Sequence, residues 1–502
     1  MEIFQIVLYI TLFCLLLLIY KRSNSEKKPQ KSLPLPPGPW KLPLIGNVHQ
    51  IVGALPHHAF RKLSDKYGPL MHLQLGETSN VIVSSSEIAK EIFKTHDLIM
   101  SNRPDILAAQ IITYNNIDIG FSPHGSHWRN LRKICTLELL TAKRVRSFRF
   151  IREEEVSVLV KDVLSASGSV INLSEKIFST ITSIVARAAF GRKSGNGDQE
   201  AFLSTLDDVT KMVGGFSIVD LFPSIEVLQR ITGMKARLER VHKLNDQVLE
   251  NIIRSHKERK ASGDENNEEN LVDVLLKIQE GKDDQEFRLT HDHVKAVILD
   301  MFIAGSETSS TTLEWAMAEL MKNPQVMEKA QVEIRMFYKG KDFVDESEIH
   351  QLKYLNSIVK ETLRLHPPGV LLLPRESTER CVINGYEIPK KTRIMVNGWA
   401  IGRDPKYWDE AETFKPERFL DNPIDFRGAN MDYIPFGAGR RICPGINFAI
   451  SSIELPLANL LYHFDWKLPN GMTPEKFDMS ETFAASVRRT ENLQLIPISH
   501  QR

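Results

Sequence analysis

Cysteine is scarce in this chain, with four in 502 residues, which excludes a disulfide-stapled scaffold. No sign of charge prevails. Lys and Arg total 64 against 63 Asp and Glu, a net of +1, so the basic excess of a nucleic-acid binder is missing and no nucleic-acid partner is expected. There is no internal repeat, and no second Pro-rich linker follows Trp40, so most of the chain reads as one body. The one low-complexity stretch, Lys257–Asn270, is rich in Glu, Asn and Lys and reads as an exposed loop between helices. With 42% hydrophobic and 25% charged residues the chain is globular, and it is long enough to enclose a cofactor-sized cavity.

A membrane-length apolar run occurs at one place. Ile3 to Tyr20 is apolar apart from Gln5, Thr11 and the tyrosines. As a helix it spans roughly 27 Å, close to the hydrocarbon thickness of a bilayer. Lys21, Arg22, Lys27, Lys28 and Lys31 follow, opposed by Glu26 alone, which places the rest of the chain in the cytosol. A cleaved signal peptide needs basic residues before the run and a small-residue cleavage site after it, and both are missing. Residues 1–20 therefore read as a transmembrane signal-anchor. Residues 21–39 read as a basic hinge ending in Pro34-Leu35-Pro36-Pro37-Gly38-Pro39, and residues 40–502 as the globular body. In a reducing cytosol Cys135, Cys381 and Cys443 are thiols or metal ligands.

The body is expected to be mainly α with small β-sheets. Strand character appears at Met71–Leu75 and Asn80–Val83 around a turn at Gly76–Ser79, and again at Cys381–Tyr386 and Arg393–Val396. Helical patterns cover Trp128–Glu138, Ala236–Lys260, His291–Lys322 and Asn323 to about Tyr338. His291–Lys322 runs 32 residues without proline and is apolar through its middle, so it should cross the core. That middle holds Ala304-Gly305-Ser306-Glu307-Thr308-Ser309, an odd choice for a buried helix. It reads either as a kink with satisfied hydroxyls or as a local widening that leaves room and protons beside a cofactor.

Near the C-terminus stands Phe436-Gly437-Ala438-Gly439-Arg440-Arg441-Ile442-Cys443-Pro444-Gly445, followed by a helical pattern from Ile446. A thiolate there would be stabilised by the helix N-terminus, and the glycines let backbone approach a flat ligand. A single-cysteine zinc site is disfavoured by ligand count.

Here the chain resembles the cytochrome P-450 family, haem-thiolate monooxygenases of the plant microsomal type, over essentially its whole length. Besides F-x-x-G-x-R-x-C-x-G at Phe436–Gly445, it carries A-G-x-E-T at Ala304–Thr308 and E-x-x-R at Glu361–Arg364. It also carries P-E-R-F at Pro416–Phe419 and W-x-x-x-R at Trp128–Arg132. The resemblance implies the cytochrome P-450 fold preceded by one transmembrane helix, an endoplasmic-reticulum membrane location, and haem as cofactor. It implies Cys443 as the axial iron ligand and Phe436 packed beside it. It implies Trp128, Arg132, Arg375 and Arg441 as donors to the haem propionates. Thr308 and Glu307 become the hydroxyl and acid of oxygen activation. Glu361, Arg364 and Arg418 become a structural ion-pair cluster. Partners implied are NADPH–cytochrome P-450 reductase, dioxygen, the membrane and a small-molecule substrate. Arg129, Lys133 and Arg440 are candidate docking cations.

By the same resemblance, pocket walls come from Ile106–Phe121, Asp207–Phe216, Val297–Thr308, Gly369–Leu373 and Thr482–Val487. The expected lining is Ile111, Ile112, Val297, Met301, Ala304, Val370, Leu371, Leu372, Phe483, Ala484 and Ala485, without a charged partner for substrate. Such a pocket suits an apolar hydrocarbon or lightly oxygenated terpenoid. The stretches His127–Cys135, Val145–Phe148, Gly214–Phe222 and Leu460–Leu468 resemble plant terpenoid hydroxylases, leaving sesquiterpenes and diterpenes both open. Two departures flank the haem: Gly369-Val370 where relatives have V-P, and Ala484 where they often have Gly. Alternatives are a haem-thiolate isomerase or dehydratase without dioxygen, oxidation of a phenolic or alkaloid substrate, and a non-catalytic haem binder. The intact Glu307-Thr308 pair argues against the first.

Overall fold

The computed structural model describes residues 33–191, 216–262, 269–281 and 287–500. The anchor at 1–20, the basic part of the hinge, residues 207–215 of the second wall stretch and residues 263–268 of the charged run lie outside the described residues. No helix among the described residues is long and apolar enough to cross a membrane.

Helices dominate and four small sheets sit at the margins, as the sequence pattern implies. The 32-residue helix His291–Lys322 forms with the bounds expected from its pattern. Thr290 caps it, its hydroxyl accepting from the His293 N–H at 3.3 Å. It packs on the helices Leu173–Phe190, Ile446–His463 and Lys353–Leu365, which makes it the axis of the core. Gly305 has a packing reason in its middle: a Cβ there would meet Val185 at 3.3 Å. The helix stays continuous through Ser306–Ser309, and three hydroxyls in and just after this stretch bond back one turn. Thr308 Oγ1 donates to the Ala304 carbonyl at 2.6 Å, Ser310 Oγ to that of Ser306 at 2.7 Å, and Thr312 Oγ1 to that of Thr308 at 2.9 Å.

The largest sheet orders Leu70–Leu75, Thr78–Val83, Arg393–Val396 and Arg375–Glu376. Its first pair is an antiparallel hairpin, the second pairing is parallel, and Arg375 lies opposite Ile394 in the last. Its apolar side chains alternate between two clusters, Val81, Val83, Ile394 and Val396 in one and Met71, Leu73, Ile82 and Met395 in the other. A rigid sheet edge thereby carries Arg375.

Three expectations shift in detail. Cys381–Tyr386 is a hairpin, Cys381–Ile383 against Tyr386–Ile388, because Asn384 and Gly385 both take positive φ and turn the chain. The charged run starts as helix, since Met234–Ala261 continues into it and charged residues suit the exposed end of a helix. The helix Ser126–Ile134 passes into a wider turn at Cys135–Leu139.

The Glu361–Arg364–Arg418 cluster is fully built. Arg364 Nε donates to Glu361 Oε2 at 2.7 Å and Arg418 Nε to Oε1 at 3.0 Å. Arg364 Nη1 also donates to the Gly402 and Ala411 carbonyls, each at 2.7 Å. Glu361 and Arg364 are fully buried, so each charge depends on the other.

Candidate active site

One cavity of about 460 Å³ lies between the long helix and the Cys443 loop. The loop is shaped by Gly437 (φ +70) and Gly439 (φ +69), positions a side chain would strain. At Gly439 a Cβ would stand 2.6 Å from Asp97 Oδ1 and 2.9 Å from the Phe93 carbonyl. The Cys443 N–H donates to the Phe436 carbonyl at 3.0 Å, closing the loop, and Phe436 packs edge-on against Phe426. Gly445 then opens the helix Ile446–His463. Burial pushes the Cys443 thiol up, while the Gly445 N–H and the Arg132 charge pull it down. The sulfur is thus buried with a backbone N–H and a guanidinium directed at it, a donor set that suits a thiolate metal ligand.

Four arginines crowd the same end of the cavity: Arg103, Arg132, Arg375 and Arg441. Arg132 Nη2 donates to the Ile442 carbonyl. Arg375 pairs with Asp97 at 2.8 Å and donates to the Ala438 carbonyl at 2.7 Å. Arg441 donates to the carbonyls of Ser101 at 2.9 Å and Ser122 at 2.5 Å. Arg103 donates to the carbonyls of Gly120, Leu373 and Pro374, each at 2.8 Å. Burial lowers all four, and for Arg441 burial and the neighbouring Arg375 and Arg132 bring it down to about 9. Cations that repel one another in a buried site are matched by anions. Two carboxylates of a flat cofactor, with a metal over Cys443, fit this donor set.

Trp128 stands elsewhere than the resemblance implied. It does not line the cavity: its indole N–H donates to the Ile119 carbonyl at 3.2 Å, and the Arg441 guanidinium lies 4.1 Å over its ring. It supports Arg441 from behind, because aromatic face and cation attract. Arg103 was missed, since a single arginine before Pro104 carries no spacing signal.

Of the expected wall residues, Ile112, Met301, Ala304, Val370, Leu371, Leu372, Phe483, Ala484 and Ala485 do line the cavity, as do Glu307 and Thr308. Val297 does not. It is fully buried in the main core, because the cavity lining on this helix begins at Asp300 and Val297, one turn before Met301, lies beyond it. Ile111 is half-buried and packs on the core, while its neighbour Ile112 reaches the cavity. The expectation of a wall without charge is also corrected: Asp300 and Arg393 line the cavity, Asp300 being one turn before Ala304 on the same helix face.

A thiolate loop on a helix N-terminus, a buried cation cluster and a hydroxyl–acid pair facing them across one cavity define a haem-thiolate enzyme. Residues 36–497 match the family model described as Cytochrome P450, and the chain belongs to that family. It is 58% identical to "Cytochrome P450 71D10" of Glycine max over 95% of this chain and 93% of that protein. It is 51% identical to "Tabersonine 6,7-epoxidase isoform 1" of Catharanthus roseus, over 97% of this chain and 96% of that protein. It is 49% identical to "Premnaspirodiene oxygenase" of Hyoscyamus muticus, over 100% of this chain and 99% of that protein. Among solved structures, a zebra fish cytochrome P450 with abiraterone matches with a TM-score of 0.74 and 26% identity, over 89% of this chain and 100% of that one. The protein is a plant cytochrome P450 monooxygenase with thiolate-ligated haem.

Proposed function

We propose that this monooxygenase oxygenates an apolar terpenoid of sesquiterpene or diterpene size. The observation that carries the reading is the apolar share of the cavity lining. Beside the arginines near Cys443, the lining includes Ile112, Met301, Val370, Leu371, Phe483 and Ala484. Asp300 interrupts that lining, but burial pushes its carboxyl well above the ordinary range, which favours the neutral acid, and its Oδ2 accepts the Ile119 N–H at 2.8 Å. An alkaloid-type amine would therefore lack a ready partner.

In this reading Cys443 holds the iron, and Arg132, Arg375, Arg441 and Arg103 hold the propionates. Haem supplies the activation of dioxygen and the transfer of one oxygen atom to substrate. Glu307, buried beside the cavity, and the Thr308 hydroxyl keep a proton source close while the apolar wall excludes bulk water. Residues 1–20 anchor the chain in the endoplasmic-reticulum membrane and residues 21–39 serve as the hinge. Electrons come from NADPH through cytochrome P-450 reductase. That partner docks near the exposed Arg129, Lys133 and Arg440 on the cysteine side.

The test is turnover of a panel of sesquiterpenes, diterpenes, phenolics and alkaloids by microsomes carrying the enzyme and a reductase. Products gaining one oxygen atom, formed from terpenes only when NADPH and dioxygen are both present, support the reading. Turnover confined to phenolics or alkaloids overturns the substrate class. Conversion without dioxygen would point to isomerase or dehydratase chemistry for that substrate.

A further inference from the structure

The cavity wall at Ile119–Phe121 is held from both sides of its backbone. Its carbonyls face the cation cluster: that of Ile119 accepts from Trp128 Nε1 at 3.2 Å, and that of Gly120 from Arg103 Nε at 2.8 Å. Its N–H groups face two acids. Asp118 Oδ2 accepts from the N–H of Gly120 at 3.1 Å and of Phe121 at 2.9 Å, and its Oδ1 from Thr113 Oγ1 at 3.1 Å. Asp300, on the long helix, takes the N–H of Ile119 at 2.8 Å. The two carboxyls thus close on the same three residues from two elements. Two buried carboxylates so placed repel each other unless one of them carries a proton. Gly120 permits the approach: a Cβ there would lie 3.1 Å from Asp118 Oδ2 and 4.0 Å from Asp300 Oδ1.

We propose that Asp118 and Asp300 share one proton and serve as positioning residues for the oxidation, clamping the wall Ile119–Phe121 and so setting which carbon of the substrate is presented. This rests on the reading of the cavity as the substrate pocket. Burial drives both acids upward, Asp300 well above the ordinary carboxyl range. The charged and titratable groups facing the pair are Arg103 and Arg441 from the cation cluster, Arg132 behind them, and the Cys135 thiol beside Asp300. Because burial holds the proton on the pair, the clamp is present in the pH window between the first and the second deprotonation of the pair. It is lost as pH rises through the raised value, where two facing carboxylates repel.

The test uses the haem-loaded full chain. Infrared spectra at neutral pH, with labelled aspartate, should show a protonated carboxyl that disappears in both Asp118→Asn and Asp300→Asn. Amide exchange should show Ile119 and Phe121 protected in the wild type, with protection falling as pH rises. Asp300→Asn should keep that protection at all pH values, since an amide both donates and accepts. Asp300→Leu should lose it by about tenfold, the equivalent of one hydrogen bond. Where a terpene is turned over, its product ratio should shift in Asp300→Leu and follow pH in the wild type. A wild type without the protonated carboxyl, or Asp300→Leu with full protection, overturns the proposal, as does a lost clamp with an unchanged product ratio. The infrared and exchange results need no substrate, so they stand apart from any failure of the terpenoid reading.

Discussion

The two ends of the cavity are built by opposite rules. At the Cys443 end, charge and backbone polarity are concentrated: four arginines, a thiol fed by a backbone N–H, and glycines with positive φ that let main chain come close. Over the rest of the lining, apolar side chains from four separate segments meet, with Asp300 and Arg393 among them, and shape dominates what fits. The first end is chemically specific, because each group there must meet a fixed partner at bonding distance. The second tolerates exchange of one hydrophobe for another, and this is where substrate preference is free to change within one reaction type. Substitutions at the first end should therefore abolish, and those at the second should redirect.

The largest effect is expected from Cys443→Ala. It should remove the thiolate-type band from the carbon monoxide difference spectrum of the reduced protein. An intact band would move the ligand to Cys135 or Cys381. Next comes Glu361→Gln, which leaves Arg364 and Arg418 facing a neutral partner in a buried site. A loss of about 3–5 kcal/mol is expected, read as a fall in haem-loaded protein and in denaturant midpoint. Near-normal stability would show that the carbonyls of Gly402 and Ala411 hold Arg364 without the acid.

Thr308→Ala should leave haem and ligand binding in place but raise peroxide released per NADPH oxidised. Unchanged coupling would make Glu307 and water sufficient. Arg129→Glu with Lys133→Glu tests a surface outside both ends. Haem reduction by the reductase should slow about tenfold at low salt and lose its salt dependence, while peroxide-supported turnover survives. If both activities fall, the cation cluster beside Arg132 has been disturbed instead. The smallest and most telling change is Ala484→Gly at the far end. It should alter the ratio of oxidised products with total turnover within about twofold, the scale of one methyl group in an apolar pocket. A collapse of activity there would erase the distinction between the two ends.

Charge-rich positions were the more legible. The ten-residue cysteine motif, the hydroxyl–acid pair and the Glu–Arg cluster all declare themselves at short sequence range, since their chemistry demands fixed residue types at fixed spacing. Arg103 and Asp300 did not, because they join the site from a loop and a helix face whose neighbours are far away in the chain. Val297 shows the converse: helical spacing placed it with Met301, yet it is buried in the main core, where the cavity no longer reaches the long helix.

The amino-acid sequence by itself determined the family, the long central helix, the glycine-rich cysteine loop and the membrane-length apolar run, because each is written in local pattern or in residue types that covalent order alone sets side by side. Only the tertiary structure decided the rest. It turned Trp128 away from the cavity to lie under Arg441, brought Arg103 into the cation cluster, and set Asp118 and Asp300, 182 positions apart in the chain, on the same backbone segment. Those contacts depend on where separate segments come to rest once the core is packed, and the shape of that packing is a property of all the side chains together.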